Sequence, residues 1–286
     1  MHGLPYIDVP QTFGPIKTFG VLLFIGIVFA SWMSRKYCQR NGLDDDTMQW
    51  LGVRLIVCGL IGAVALDILF YDFPRFLQHP WTVVKSLGIS SYGALVGAAV
   101  GFMYFTARKK LDRRVWGDAA SWGVAGGWLF GRLGCALAHD HLGQKTDFAL
   151  GVNVPPMRYP FEHVNHVIRA HDLGLYEFLL WIPLTAMVVL LERRKNRRPG
   201  FVLGMLAVTY SVPRFCFEFL RLADSDPRYG GLTFAQWASI AAFAIGLLLL
   251  FGKVKSREPE AQPEPAPRGK GAGKAKAAKA GLRTRT

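Results

Sequence analysis

Seven long apolar blocks, each about 17 to 24 residues, recur along this chain and decide its class before any motif is considered. They fall at about 18–34, 48–71, 88–106, 118–138, 175–192, 201–220 and 232–252. A run of roughly 18 or more mostly apolar residues is long enough to cross a bilayer as a helix. Half of the residues are hydrophobic (51%) and only 19% are charged, which argues against a soluble domain of this length. The expected fold class is therefore an all-α polytopic membrane protein with seven transmembrane helices. Residues 1–252 form the membrane domain, 139–174 a small extracytoplasmic head between helices 4 and 5, and 253–286 a separate tail. Residues 1–17 lack the charged start and small-residue cleavage site of a signal peptide, so the first block is expected to remain as a helix.

Lysine and arginine orient the bundle. Every second connection, together with the tail, carries 23 of them, the opposite connections carry eight, and Arg54, Arg132 and Arg214 lie inside blocks. The N-terminus is expected outside and the C-terminus in the cytoplasm. The net charge of +14 then has a location. Half of it belongs to the Pro-, Ala- and Lys-rich tail, whose composition cannot bury a core and suits anionic lipid headgroups. Nucleic acid is not an expected partner. Cys38, Cys58, Cys135 and Cys216 have no disulfide or metal-type spacing.

Ionisable residues at membrane depth are costly and point to function. Arg132 lies in GRLGCALAHDHLG, behind a four-residue ladder of Gly123, Gly127 and Gly131; the third block carries Gly93, Gly97 and Gly101. Such ladders suit close helix packing, whereas a buried guanidinium needs a carboxylate, carbonyls or an anionic ligand. In RFCFEFLR, Arg214, Glu218 and Arg221 share one helical face. An Arg214–Glu218 ion pair is the plain reading; two arginines to one carboxylate also leave a positive surplus suited to phosphate. Glu177 is either the counter-ion of Arg132 or Arg214, or a helix-start acid that only complements the dipole. Five of the seven histidines, His139, His141, His163, His166 and His171, cluster between blocks 4 and 5 with Asp140 and Asp172. Their spacing fits no tight metal template; solvated loop histidines are expected, with a metal-dependent membrane hydrolase as a lesser alternative. The proline-interrupted NVPPMRYP, 153–160, reads as extended or turned.

In order and spacing these segments resemble the prolipoprotein diacylglyceryl transferase family over about residues 15–252. GRLGCALAHDHLG is similar to the family's GRxGNFxNxExxG, keeping Gly131, Arg132, Gly134 and Gly143, with Asp140 for glutamate. HDLGLYE is similar to HPxxLYE, keeping His171, Leu175, Tyr176 and Glu177. RFxxEFxR is complete in Arg214, Phe215, Glu218, Phe219 and Arg221, and GLTFAQ ends on the expected Gln236. Some positions differ: Tyr92 replaces a helix 3 histidine, Cys135 and Ala138 replace two asparagines, Val64 and Asp67 replace an arginine and a tyrosine of helix 2, and Phe19 replaces a tyrosine of helix 1.

The resemblance implies transfer of a diacylglyceryl group from phosphatidylglycerol to the thiol of a lipobox cysteine in a secreted prolipoprotein, releasing glycerol 1-phosphate. That chemistry needs a thiolate and positive charge on the departing phosphate, but no metal and no cofactor. Arg132 and Arg214, then Arg221, suit the phosphate, with Glu177 and Glu218 orienting them. Gly143, Tyr176 and Gln236 complete the expected substrate contacts. Tyr92, His139, His141 and His171 are the candidates for the base, with His139–Asp140–His141 standing in for the missing helix 3 histidine. A relative that binds phospholipid or lipoprotein without transfer is the alternative reading.

Overall fold

The computed structural model describes residues 3–14, 16–69, 73–81, 91–160, 165–194, 197–222 and 225–252. The tail at 253–286, His163 and the side chain of Tyr92 lie outside them. The described chain is mainly helical: α1 Thr18–Asn41, α2 Asp45–Asp67, the short α3 Phe73–Gln78, α4 Ser91–Arg108, α5 Arg113–Ala138, α6 Leu173–Glu192, α7 Phe201–Phe217 and α8 Phe234–Phe251. Five of these, α1, α2, α6, α7 with its 3-10 extension, and α8, are long and apolar enough to cross a membrane. α4 is apolar but shorter as described, and α5, at 26 residues, is long but carries Asp118 and Arg132.

The helix ends follow local chemistry. Asp44 caps α2, Asp112 caps α5 and Asp172 caps α6, each side chain accepting a first-turn amide, which satisfies a donor the helix cannot satisfy itself. α1 continues seven residues beyond the expected end at 34 because nothing breaks it before Gly42, which stops it with φ 67°. Thr233 and Gln236 form a reciprocal capping box on α8.

Without water to drive association, helix pairs are held by close backbone approach. A Cβ on Gly62, Gly93 or Gly97 would collide with the facing backbone of α2 or α4, and one on Gly26 or Gly127 would do the same between α1 and α5. Gly204 and Gly246 seat α7 against α8 in the same way. The expected ladders thus pack as read, except that Gly131 has open space where its Cβ would be. Large apolar side chains such as Phe24 (66% exposed), Ile61 (63%) and Leu248 (66%) face outward, as a lipid-facing surface requires.

Between α5 and α6 lies a four-stranded sheet in the order β1-β5-β6-β4: β1 Leu4–Pro5, β4 Leu142–Lys145, β5 Val152–Val154 and β6 Ile168–Asp172. β1 runs parallel to β5 and the other pairs are antiparallel. The segment before α1 is thereby sewn onto the 139–172 insertion. Arg158 reinforces this with two 2.9 Å hydrogen bonds to Asp8. Leu142, Val154, Tyr159, Ile168 and Ala170 form the sheet's own small core. Two-residue ladders flank the helices, β2 Thr12–Phe13 with β3 Ile16–Lys17 and β7 Arg228–Tyr229 with β8 Leu232–Thr233.

Candidate active site

α5, α6 and α7 bring Arg132, Glu177 and Arg214 together, although they are separated by 45 and 37 residues in sequence. Glu177, one turn into α6, is buried at 2% exposure. Its Oε2 lies 3.0 Å from Arg132 Nε and its Oε1 lies 3.7 Å from Arg214 Nε. Tyr210, one turn before Arg214 on α7, donates its hydroxyl to Glu177 Oε2 at 2.9 Å. Of the alternatives left open by spacing, Glu177 is thus the counter-ion, and it serves both arginines at once.

A second carboxylate continues the chain of charges. Glu218 Oε1 accepts from Arg214 Nη1 at 2.6 Å and from Arg221 Nη1 at 3.4 Å. Its Oε2 accepts from the Thr233 hydroxyl at 2.8 Å. Here α7 tightens into a 3-10 turn, Glu218–Leu220, which brings Arg221 to an i,i+3 position. The Arg214–Glu218 pair is therefore real, but it is one link of a network rather than an isolated bridge. Buried charges are tolerated only when paired and hydrogen-bonded in this way.

Two site expectations change. The positive surplus read from RFCFEFLR is offset at its outer edge, because Arg221 Nη2 also pairs with Asp226 at 2.9 Å. Three guanidiniums thus meet three carboxylates. Deeper in, Glu177 holds Arg132 through Nε, and among the described residues Nη1 meets the Cys135 sulfur at 3.9 Å. The second correction concerns His139. It is not a solvated loop histidine but the left-handed C-cap of α5, at φ 50°. Its Nδ1 lies 2.6 Å from Asp172 Oδ2 and its Nε2 lies 3.3 Å from the Ile7 carbonyl, with the ring stacked on Tyr6. Both nitrogens are engaged in pinning the N-terminal segment to the start of α6, so His139 is not poised as a base.

The remaining motif residues find specific places. Gly143 forms a bridge with Arg221, and a Cβ there would run into the Leu220 carbonyl and lie 3.2 Å from the His171 Cβ. Tyr159 donates to the Gly143 carbonyl at 3.0 Å, and Gln144 donates to the carbonyls of Phe219 and Arg221. The insertion is thereby tied to the end of α7. His171 Nδ1 lies 2.9 Å from the Tyr176 hydroxyl, and burial pushes its imidazole below the usual range. Asp140 is exposed beside His141. Gln236 is buried in the capping box and acts on the site through Thr233, which it orients toward Glu218. Tyr92 lies in the first turn of α4.

Sequence reasoning missed Tyr210, Thr233 and Asp226, and it grouped Asp172 with the loop histidines rather than as the partner of His139. Tyr210 had a usable signal, since it stands at i−4 from Arg214 and i−8 from Glu218 and therefore on their face. The other three are local capping or loop residues whose partners are set by the tertiary fold.

Comparison with known proteins gives the family. The sequence profile described as prolipoprotein diacylglyceryl transferase matches residues 9–252. The protein named phosphatidylglycerol–prolipoprotein diacylglyceryl transferase 2 of Clostridium perfringens is 28% identical over 263 residues, covering 88% of this chain and 97% of its own. The phosphatidylglycerol–prolipoprotein diacylglyceryl transferase of Solidesulfovibrio magneticus is 30% identical, covering 86% and 94%. That of Bradyrhizobium diazoefficiens is 25% identical, covering 85% and 89%. With matching motifs, a matching profile along nearly the whole membrane-embedded chain, and arginines held by shared buried carboxylates, this protein belongs to the prolipoprotein diacylglyceryl transferase family.

Proposed function

We propose that this chain transfers the diacylglyceryl group of phosphatidylglycerol to the cysteine thiol of lipobox-containing prolipoproteins. The observation that carries the reading is the sharing of buried Glu177 by Arg132 and Arg214. Glu177 takes the Nε edge of each guanidinium and sets its plane. The Nη edge of Arg132, part of a side chain 13% exposed, is then presented to phosphate oxygens, for which the guanidinium fork is well matched.

In this mechanism the lipid phosphate docks on Arg132 and Arg214, with Arg221 at the outer edge. The incoming thiolate attacks the glyceryl carbon that bears the phosphate. A carbon–sulfur bond forms, the carbon–oxygen bond breaks, and the electron pair leaves on the oxygen of glycerol 1-phosphate. Arg132 and Arg214 stabilise the charge that grows there, and they cost no reorganisation because the carboxylates already hold them. Glu218 positions Arg214 and Arg221, and Thr233 and Gln236 position Glu218.

A free thiol has a pKa of about 8.5, so a neutral imidazole is sufficient help. With His139 engaged elsewhere, His171 is assigned this role. It is held neutral by burial, and its Cβ is beside Gly143, which bridges Arg221. Tyr176 orients the ring.

In this reading seven helices cross the membrane, α4 and α5 joining the five long apolar ones, and the cluster lies toward their outer ends beneath the head. The distribution of lysine and arginine supports an outside N-terminus and a cytoplasmic C-terminus, and membership of the family supports a bacterial inner (cytoplasmic) membrane location. Residues 253–286 then form a basic tail drawn to anionic lipid. The second reading, a relative that binds phospholipid or lipoprotein without transfer, draws on Tyr92, Cys135 and Ala138 at otherwise polar motif positions.

Incorporation of radiolabelled glycerol from phosphatidylglycerol into a lipobox peptide separates the two. Label in the parent that Arg132→Ala and Arg214→Ala each abolish is the expected result. No label, with phosphatidylglycerol binding intact, establishes the non-transferring reading.

A further inference from the structure

We propose that Cys135, Asp140 and His141 form a binding site for a soft divalent metal ion of the zinc class. One donor atom from each of the three lies within 4.8 Å of the others. A thiol, a carboxylate and an imidazole are the donor types zinc prefers, and three protein donors leave a fourth tetrahedral position open. Donors around zinc stand roughly 3.3–3.8 Å apart, given metal–ligand distances of about 2.0–2.3 Å. Small rotations of Asp140 and His141, both on a turn, close the remaining gap.

The fold gathers the triad through local chemistry. His139 in the left-handed region ends α5 and turns the chain back over the last helical turn. Gly174 brings the start of α6 against Cys135, where a Cβ would come within 2.9 Å of the Cys135 carbonyl carbon. The Leu173 amide donates to the His141 carbonyl at 3.0 Å and fixes the third member. Cys135 is buried, His141 is partly exposed and Asp140 is exposed, so an ion enters from the Asp140 side and reaches the thiol last. Arg132 Nη1 lies 3.9 Å from the Cys135 sulfur, and a metal that binds there displaces the thiol proton. Thiolate and carboxylate together match the charge of a divalent ion. Cys135 and Asp140 both occupy positions at which this chain departs from the family's helix 4 motif, and the site adjoins Arg132 of the proposed transfer centre.

The test uses the full chain, purified in detergent with its affinity tag removed and titrated with Co²⁺ as an optical probe for zinc. We expect one equivalent bound with a thiolate-to-cobalt charge-transfer band. Cys135→Ser loses that band and His141→Ala weakens binding by about tenfold or more, while Cys216→Ser, at an exposed thiol, keeps both. Absence of the band in monodisperse parent protein overturns the proposal, as does a band of undiminished strength in Cys135→Ser.

Discussion

Arg54 and Arg132 both lie within long apolar blocks, and hydropathy alone treats them alike. The structure separates them. Arg54, in the first half of α2, lays its guanidinium 3.4 Å from the centroid of the Trp50 ring and donates to the Trp50 carbonyl at 3.1 Å. Phe105 and Lys109 complete that aromatic and basic corner. Its partners are a ring face and a backbone oxygen, the means by which a long side chain settles at a membrane boundary. Arg132 instead meets a carboxylate that is 2% exposed and shared with a second arginine. A charge inside an apolar block is thus a question, and the kind of partner answers it: aromatic rings anchor, shared carboxylates preorganise.

The largest expected effect follows from removing the shared carboxylate. Glu177→Gln leaves Arg132 without its counter-ion and Arg214 with Glu218 alone, and is expected to lower transfer by about a hundredfold or more. It is also expected to destabilise the protein by about 3–5 kcal/mol, since half of a buried ion network goes unpaired. Arg54→Ala is the matched control, with transfer within about twofold of the parent. Comparable losses in both variants would erase the distinction drawn between the two arginines.

Next in size is Gly143→Ala, whose Cβ meets the Leu220 carbonyl and pushes the insertion off the end of α7. About a tenfold fall in transfer is expected from displacing Arg221 by a fraction of an ångström, with rescue on reversion to Gly and little change in melting temperature. His171→Gln tests the base through its pH profile. Burial depresses the imidazole pKa, so the parent's activity should decline on the acid side only below the range of an ordinary histidine, where the ring gains its proton. In the variant the acid limb disappears, and a limb that survives removes His171 from the role. Asp226→Asn is expected to have the smallest effect. It frees one edge of Arg221 at a partly exposed pair, and KM for phosphatidylglycerol should fall by about two- to threefold.

Much of the helix layout was legible because hydropathy and capping residues act locally. Asp44, Asp112, Asp172 and Thr233 mark helix starts within the sequence itself, and the glycines of α2, α4 and α5 mark close approaches. The site was legible in its cations and less so in their partners. Spacing identified Arg214 and Glu218 because an i,i+4 relation is intrahelical, but could not choose a partner for Glu177, which lies on another helix. It also misjudged His139, because a histidine in a loop-like stretch looks solvated until the chain folds its ring between Asp172 and Ile7.

What the sequence determined by itself is everything set by neighbours along one chain: apolar lengths that match a bilayer, the sidedness of basic residues, helix ends, and the residue types of the motifs. Only the tertiary structure decided which charge neutralises which, that one glutamate serves two arginines, and that a cysteine of α5 meets an aspartate and a histidine beyond its end. The physical reason is range. Propensity and patterning act over a turn or two of chain, whereas pairing of a buried charge depends on distances of a few ångströms between residues dozens of positions apart, and those distances exist only once the helices have packed.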